Sequence, residues 1–528
     1  MAVNDIPDRR PVIRRQAWLR LALTMLAALV LFAAASVTHL RIDWTEDKIY
    51  TLSESTQAVL AGLDEPVMIR AYVTSGLPQP YGRLRRFMED MLLAYHEAGG
   101  GNVGYEVVDP ASDPNVAASL AAMNIPKVRV QVIEDDQAQV KQGYLAVVIE
   151  YLDSRETIPV VQSEAGFEYL LTRKIKKLTG KGRAKIAVVS GFGAHGVHQL
   201  RRLTQLGVDD YEFVGVEPDK EDIPADARAL LVAGVSRPPS KAFRYRLDQF
   251  RMSGHGILIL AGNAEPALQT GFQVRAVEAE ANNWLKDDWG VAVEPGLVLD
   301  QQASRVAVNQ QQGMFMVRSL VDYPFVPAVT ALDRAHPATR GLEVVTLPFP
   351  SPLAWAGGEK PGHTVLLRSS AASAVQDGPP FDVDPLRPIH ERFSGVQMRP
   401  SVLALAMNGP AESAFQQVPK DFDAARHLAS TEHSRALIIG APALLDDEFM
   451  DTGNITFVLN MLDWLAGDEA LIDLRSRGVT ARPLMNLATG SGMVWKGIWM
   501  FGPPLLVLLL GLGRWWALRR RHALQGAG

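Results

Sequence analysis

AKIAVVSGFGAHG, residues 184–196, decides the fold. Its first half is a short, β-branched apolar run closed by glycines, which predicts a strand buried on both faces rather than a helix. HGVHQLRRLTQLG (195–207) predicts a helix, YEFVGVEP (211–218) and ARALLVAGV (227–235) two strands, KAFRYRLDQFRMSG (241–254) a helix and GILILAG (256–262) a strand. Strands alternating with helices predict a parallel sheet covered on both faces. Beyond about residue 271, VEPGLVLD, HTVLLRSS, SVLALAMNG and RALIIGAP read as further strands between Pro- and Gly-rich connections.

Upstream, EPVMIRAYV alternates as a strand, GRLRRFMEDMLLAYHEAGG has helical periodicity, and VGYEVVDP is a strand followed by the short helix NVAASLAAMN. KVRVQVIED and YLAVVIEYLD are two more strands, and EAGFEYLLTRKIKKLTG an amphipathic helix. This β-α-β-α-β-β-α order resembles the thioredoxin fold, and Pro126 falls where that fold carries a cis-proline. The segment from Ala184 resembles the class I glutamine-amidotransferase-like fold. The chain has no cysteine, which removes thiol redox chemistry, thiolate metal sites and the nucleophile that the amidotransferase resemblance would need. Ser190, at the end of the first strand, is the remaining nucleophile candidate, with no base identified beside it.

The ends of the chain carry a different signal. LRLALTMLAALVLFAAASVTHL (19–40) approaches the roughly 20 residues that span a bilayer, and its apolar run Leu21 to Val37 follows Arg9, Arg10, Arg14, Arg15 and Arg20. A cleaved signal peptide is the competing reading, with Ala33, Ala34 and Ala35 as its small-residue site. GIWMFGPPLLVLLLGLG (497–513) is flanked by Trp495 and by Arg514, Trp515, Trp516 and three further arginines. Pro503 and Pro504 would kink this second span, which membranes tolerate. Arginines outside both spans place both termini in the cytoplasm. The expected organisation is a cytoplasmic tail (1–18), a transmembrane helix (19–40), a thioredoxin-like extracytoplasmic domain (41–180), an amidotransferase-like domain (184–480), a transmembrane helix (495–514) and a basic tail (515–528). The expected location is a bacterial inner membrane, with the head in the periplasm or outside.

Between span and head lies IDWTEDKIYTLSESTQ (42–57). Trp44 and Tyr50 suit a membrane interface, Asp43 begins a charged cluster leaving it, Ser53 suits a helix N-cap, and Leu52 suits a staple. The expectation is an ordered joint that fixes the angle of the head to the span.

Composition excludes little: 53 basic against 58 acidic residues and 47% hydrophobic residues fit a folded protein without a nucleic-acid signature. Gly191, Gly193 and Gly196, followed by a strand ending at Glu217, approach a dinucleotide fingerprint, but a structural glycine turn is the favoured reading. His195 and His198 read as a solvent-facing pair rather than metal ligands. No HExxH, GxSxG or GxxxxGK[ST] sequence is present, so any ATP hydrolysis belongs to a partner. In GNITFVLNMLDWLAGDEALIDLRSR (453–477), Asn454 is the expected N-cap of a helix that stops at Gly467.

DWTEDKIYTLSESTQAVLAGLDEPVMIRAYV, FEYLLTRKIKKL before AKIAVVSG, and GNITFVLNMLDWLAGDEALIDLRSR before the second span together resemble the gliding-motility auxiliary proteins called GldG. The resemblance implies a non-catalytic, membrane-anchored auxiliary component of an ABC-2-type transport system, with a permease and a separate cytoplasmic ATP-binding subunit as partners and no cofactor. Asp43, Trp44, Tyr50, Leu52, Ser53, Pro503 and Pro504 are the expected joint or partner-contact residues. A glycan- or lipid-binding head and a hydrolase on the amidotransferase-like sheet are the alternatives.

Overall fold

The computed structural model describes residues 23–26, 51–78, 81–134, 137–164, 166–179, 183–267, 272–312, 315–467, 472, 499–502 and 504–516. The chain forms two compact units, Met1–Val479 and Thr480–Gly528, and its architecture is mixed α/β.

The N-terminal lobe of the first unit carries a four-stranded sheet. Its strands are β1 (Val67–Val73), β2 (Val103–Val108), β5 (Leu145–Tyr151) and β6 (Ser154–Ile158), with the hairpin β3 (Val128–Glu134) and β4 (Gln137–Gly143) standing apart. The order is β2-β1-β5-β6, with β2 parallel to β1, β5 antiparallel to β1 and β6 antiparallel to β5. Alternate β1 residues Val67, Ile69, Ala71 and Val73 face one core with Leu145, Val147 and Ile149 of β5. Ala146 and Val148 face a smaller cluster with Leu120 and Tyr144 on the other side. That two-sided burial explains the unbroken apolar run LAVVI. Pro126 precedes the detached hairpin instead of a sheet strand, and its peptide bond is not cis; the bonds before Pro379 and Pro380 are.

The second lobe is built on a ten-stranded sheet. Its parallel half runs β8 (Tyr211–Val216), β7 (Ala184–Val189), β9 (Ala227–Ala233), β10 (Gly256–Leu260) and then the strand Ser430–Ile439. The strand Val402–Glu412 pairs antiparallel with Ser430–Ile439, and the sheet continues through Leu353–Trp355 to Val291–Val293. Both faces of the inner parallel strands β7, β9 and β10 are buried. The helix Thr452–Ala466 covers one face through Phe457, Val458, Met461, Leu462 and Leu465. Asp451, not Asn454, caps it; Asn454 is fully buried and binds Thr346 and Phe449 backbone groups instead. Gly467 ends the helix at φ 77°, as expected.

Among the described residues no helix is long and apolar enough to cross a membrane. The expected span at 19–40 lies outside the described residues apart from 23–26, and that at 495–514 is helical at 499–502 and 504–516.

Candidate functional site

An open parallel sheet offers a ligand crevice where neighbouring connections leave in opposite directions. Here that point falls between β7 and β9: the chain leaves β7 toward β8 on one side and leaves β9 toward β10 on the other. The glycine turn closes directly over it. Gly191, Phe192 and Gly193 all have positive φ, the backbone N–H of His195 donates to Ala233 O at 2.9 Å, and those of Ser236 and Arg237 donate to Phe192 O at 3.0 and 3.1 Å. A Cβ on Gly193 would overlap the Ser236 hydroxyl, so glycine is required there by close approach.

Beyond this turn the backbone departs from a dinucleotide-binding unit. A 3₁₀ turn, Val197–Gln199, and the short helix Arg201–Leu206 replace the expected continuous helix, and Glu217 pairs with Lys220. The Ser190 hydroxyl donates to Val216 O at 3.3 Å, a backbone tether rather than a contact with a base.

His195 emerges from the turn into a crevice of about 150 Å³, whose lining includes Glu265, Arg275, Asp446 and the small residues Gly234 and Ala443. His195 Nδ1 lies 3.5 Å from Asp446 Oδ1. That carboxylate holds the imidazole above its ordinary range, against a smaller opposing effect of burial, and Glu265 adds to it. At that volume the crevice is below the roughly 300–1,000 Å³ of usual small-molecule sites. Among the described residues no group of three or more His, Asp or Glu is placed to hold a metal. The sequence singles out His195 but not its partners, because Asp446 arrives from a distant loop and Glu265 and Arg275 from a separate ribbon, Ala264–Ala267 with Gln273–Ala276.

Of the expected joint residues, Asp43, Trp44, Tyr50 and Pro503 lie outside the described residues, and Pro504 lies in the helical stretch 504–516. Ser53 caps the helix Glu54–Ala61, its hydroxyl accepting from Thr56 N at 3.1 Å. Leu52 is buried in the N-terminal core rather than stapled along its own helix, where position N4 is the polar Gln57. Sequence reading missed the partner of Ser53. Glu168 Oε1 accepts from the Ser53 backbone N–H at 2.7 Å, the Ser53 hydroxyl at 2.9 Å and the Thr56 hydroxyl at 2.7 Å.

Glu168 opens the helix Phe167–Leu178, whose far end meets the second lobe. Arg173 Nε donates to Asp210 at 2.6 Å, and Lys174 and Lys177 each bridge Glu156 of the N-terminal lobe and Asp209 of the second lobe. The Arg173 and Asp210 side chains are only 14% and 7% exposed, so this ion pair is largely withdrawn from solvent. Burial alone would raise the carboxyls of Glu156 and Asp209, but the neighbouring cations outweigh it and hold both below their ordinary values.

The architecture is thus that of a mixed α/β protein with a charged crevice over a parallel sheet and an ionic seam between its lobes. A family model described as an ABC-type uncharacterized transport system matches residues 183–461, more than half of the chain, and the chain belongs to that family of auxiliary transport components. A domain of unknown function matches residues 46–150. An uncharacterized protein of Borreliella burgdorferi is 19% identical over 519 residues, covering 96% of this chain and 98% of that one. Among solved structures, the mmIFT52 N-terminal domain shares 12% identity at a TM-score of 0.33, covering 53% of this chain and 97% of that one. PurLQS from Thermotoga maritima shares 10% identity at a TM-score of 0.25, covering 54% and 100% respectively. Likenesses at these scores carry no weight for fold or function.

Proposed function

We propose that the chain is a non-catalytic, membrane-anchored subunit of an ABC transporter, working with an ABC-2-type permease and a separate cytoplasmic ATP-binding subunit. Membership of the transport-system family carries the reading. The full sequence supports it in two ways: it has no GxxxxGK[ST] phosphate loop, and its apolar segments at 19–40 and 497–513 are flanked by arginines on their outer sides. On this reading both termini are cytoplasmic, and the large lobes stand on the outer face of the membrane over the permease. The β2-β1-β5-β6 order supports a thioredoxin-like N-terminal lobe, and the parallel half of the large sheet supports an amidotransferase-like second lobe used as scaffold.

A head that binds an exported glycan or lipid is the second reading; the charged crevice at His195 is sized for a single small polar group of such a ligand, not for the whole of it. Affinity purification of the full chain from its native membrane tests the first. A permease and an ATP-binding protein recovered with it support the proposal, whereas a stable monomer extracted without either contradicts it.

A further inference from the structure

The helix Phe167–Leu178 has three attachments that serve different parts of the chain. At its first turn, Glu168 gathers three hydrogen bonds from Ser53 and Thr56. Beneath that contact the hydroxyls of Thr56 and Thr172 lie 3.0 Å apart, and those of Thr172 and Tyr95 lie 2.5 Å apart. Ser53, Thr56, Tyr95 and Thr172 are all buried. At its last two turns Arg173, Lys174 and Lys177 grip Asp209 and Asp210 of the second lobe. The helices Glu54–Ala61 and Phe167–Leu178 therefore start together at Glu168. Gly62, just past the first helix, and Lys177 on the second both line one wide cleft, with Asp210, Tyr211 and Gly467.

The next residue in the chain completes the path. The Tyr211 hydroxyl bonds the buried carboxylate of Asp463, on the helix Thr452–Ala466. Three consecutive residues, Asp209, Asp210 and Tyr211, thus join the helix pair that follows the first apolar segment to the helix that precedes the second. The second oxygen of Asp210 is buried without a hydrogen-bond partner. A withdrawn ion pair contributes little net stability, since desolvation offsets its attraction, and its best-attested use is to specify one geometry.

We propose that the helix Phe167–Leu178, joined to the start of Glu54–Ala61 at Glu168 and to the second lobe at Asp209–Asp210, forms a rigid strut. Through it, displacement of the segment at residues 52–56 turns the second lobe and the Thr452–Ala466 helix together instead of bending the chain between the lobes. This concerns the mechanics of the chain itself and stands apart from the identity of any transport partner.

The absence of native cysteine lets the full-length chain be spin-labelled at introduced sites alone. Labels at Ala58→Cys and Lys241→Cys report the strut against the second lobe, and labels at Lys241→Cys and Glu432→Cys report the second lobe internally. A strut gives one narrow distance for the first pair. That distribution widens and shifts in Glu168→Ala and again in Asp210→Asn, while the internal pair is unchanged. An interlobe distribution that stays narrow and unmoved in both variants overturns the proposal. Should either variant also disturb the internal pair, Arg173→Lys, which keeps the charge but loses the guanidinium fork, decides in its place: widening of the interlobe distance alone supports the strut, and no change refutes it.

Discussion

At the level of single residues, Gly193 and His195 show how one short turn serves two purposes. Gly193 lets the turn lie against Ser236 at φ 90°. Gly193→Ala therefore combines left-handed strain with overlap, and a loss of about 2 kcal/mol is expected in chemical unfolding. Ser236→Ala in the same chain should recover part of that loss but not the backbone strain. For His195, a raised folded pKa means that its pairing stabilises fully below the unfolded value and fades as pH rises through the folded one. Asp446→Asn should lower the His195 titration midpoint followed by NMR, and an unmoved midpoint would show that the pair is not formed. Glu156 and Asp209 carry the opposite sign. Their contribution is present above their unfolded pKa values and is lost as pH falls through the depressed folded values, so the seam should weaken below about pH 4. Thermal melting of Asp209→Asn should show a smaller loss across that acid range than the parent.

At the level of elements, legibility in the sequence followed burial. The strands AKIAVV, ARALLVA and GILIL were readable because a parallel strand covered on both faces must be apolar throughout. The long hairpin Ala303–Gln312 with Phe315–Val329 was not readable, because much of its first strand is polar and turn-like in composition. The helix expected from residue 195 broke for a local reason: Leu200 adopts a non-helical conformation and separates the 3₁₀ turn from the six-residue helix after it. The C-terminal helix is legible from its apolar spacing, but Asn454, which suits a cap by residue type, does not cap it. Asp451 takes the role, its side chain accepting from Asn454 N at 2.8 Å. Asp451→Ala should cost about 1 kcal/mol in unfolding, and Asn454→Ala should cost more, since it strips the Thr346 backbone of buried partners.

Ser53 marks the boundary of what a sequence can say about a site. Its capping role follows from local spacing, so it was legible. Its contact with Glu168 spans more than a hundred residues of chain and has no local signature. The same holds for Arg173 with Asp210: a basic helix end and an Asp-Asp turn each read as ordinary solvated surface until the fold brings them together.

For the whole molecule, the charged seam ties the lobes through ion pairs at Asp209 and Asp210, and the proposed strut suits a subunit that passes on movement it does not itself power. Asp210→Asn leaves Arg173 withdrawn from solvent without its closest partner, and about 3 kcal/mol of destabilisation is expected. Arg173 and Asp210 replaced together by apolar residues of similar volume should be far less harmful. A double-mutant cycle measuring no coupling between the two would remove the seam from the account.

We have proposed that this chain, a member of a transport-system family, acts as a non-catalytic subunit bound to a permease and to an ATPase it does not contain. The most direct measurement is mass spectrometry of the complex purified on the full-length chain from its native membrane. An ABC permease and an ATP-binding protein are expected in fixed ratio to this chain. Recovery of the chain as a stable particle without either would contradict the proposal.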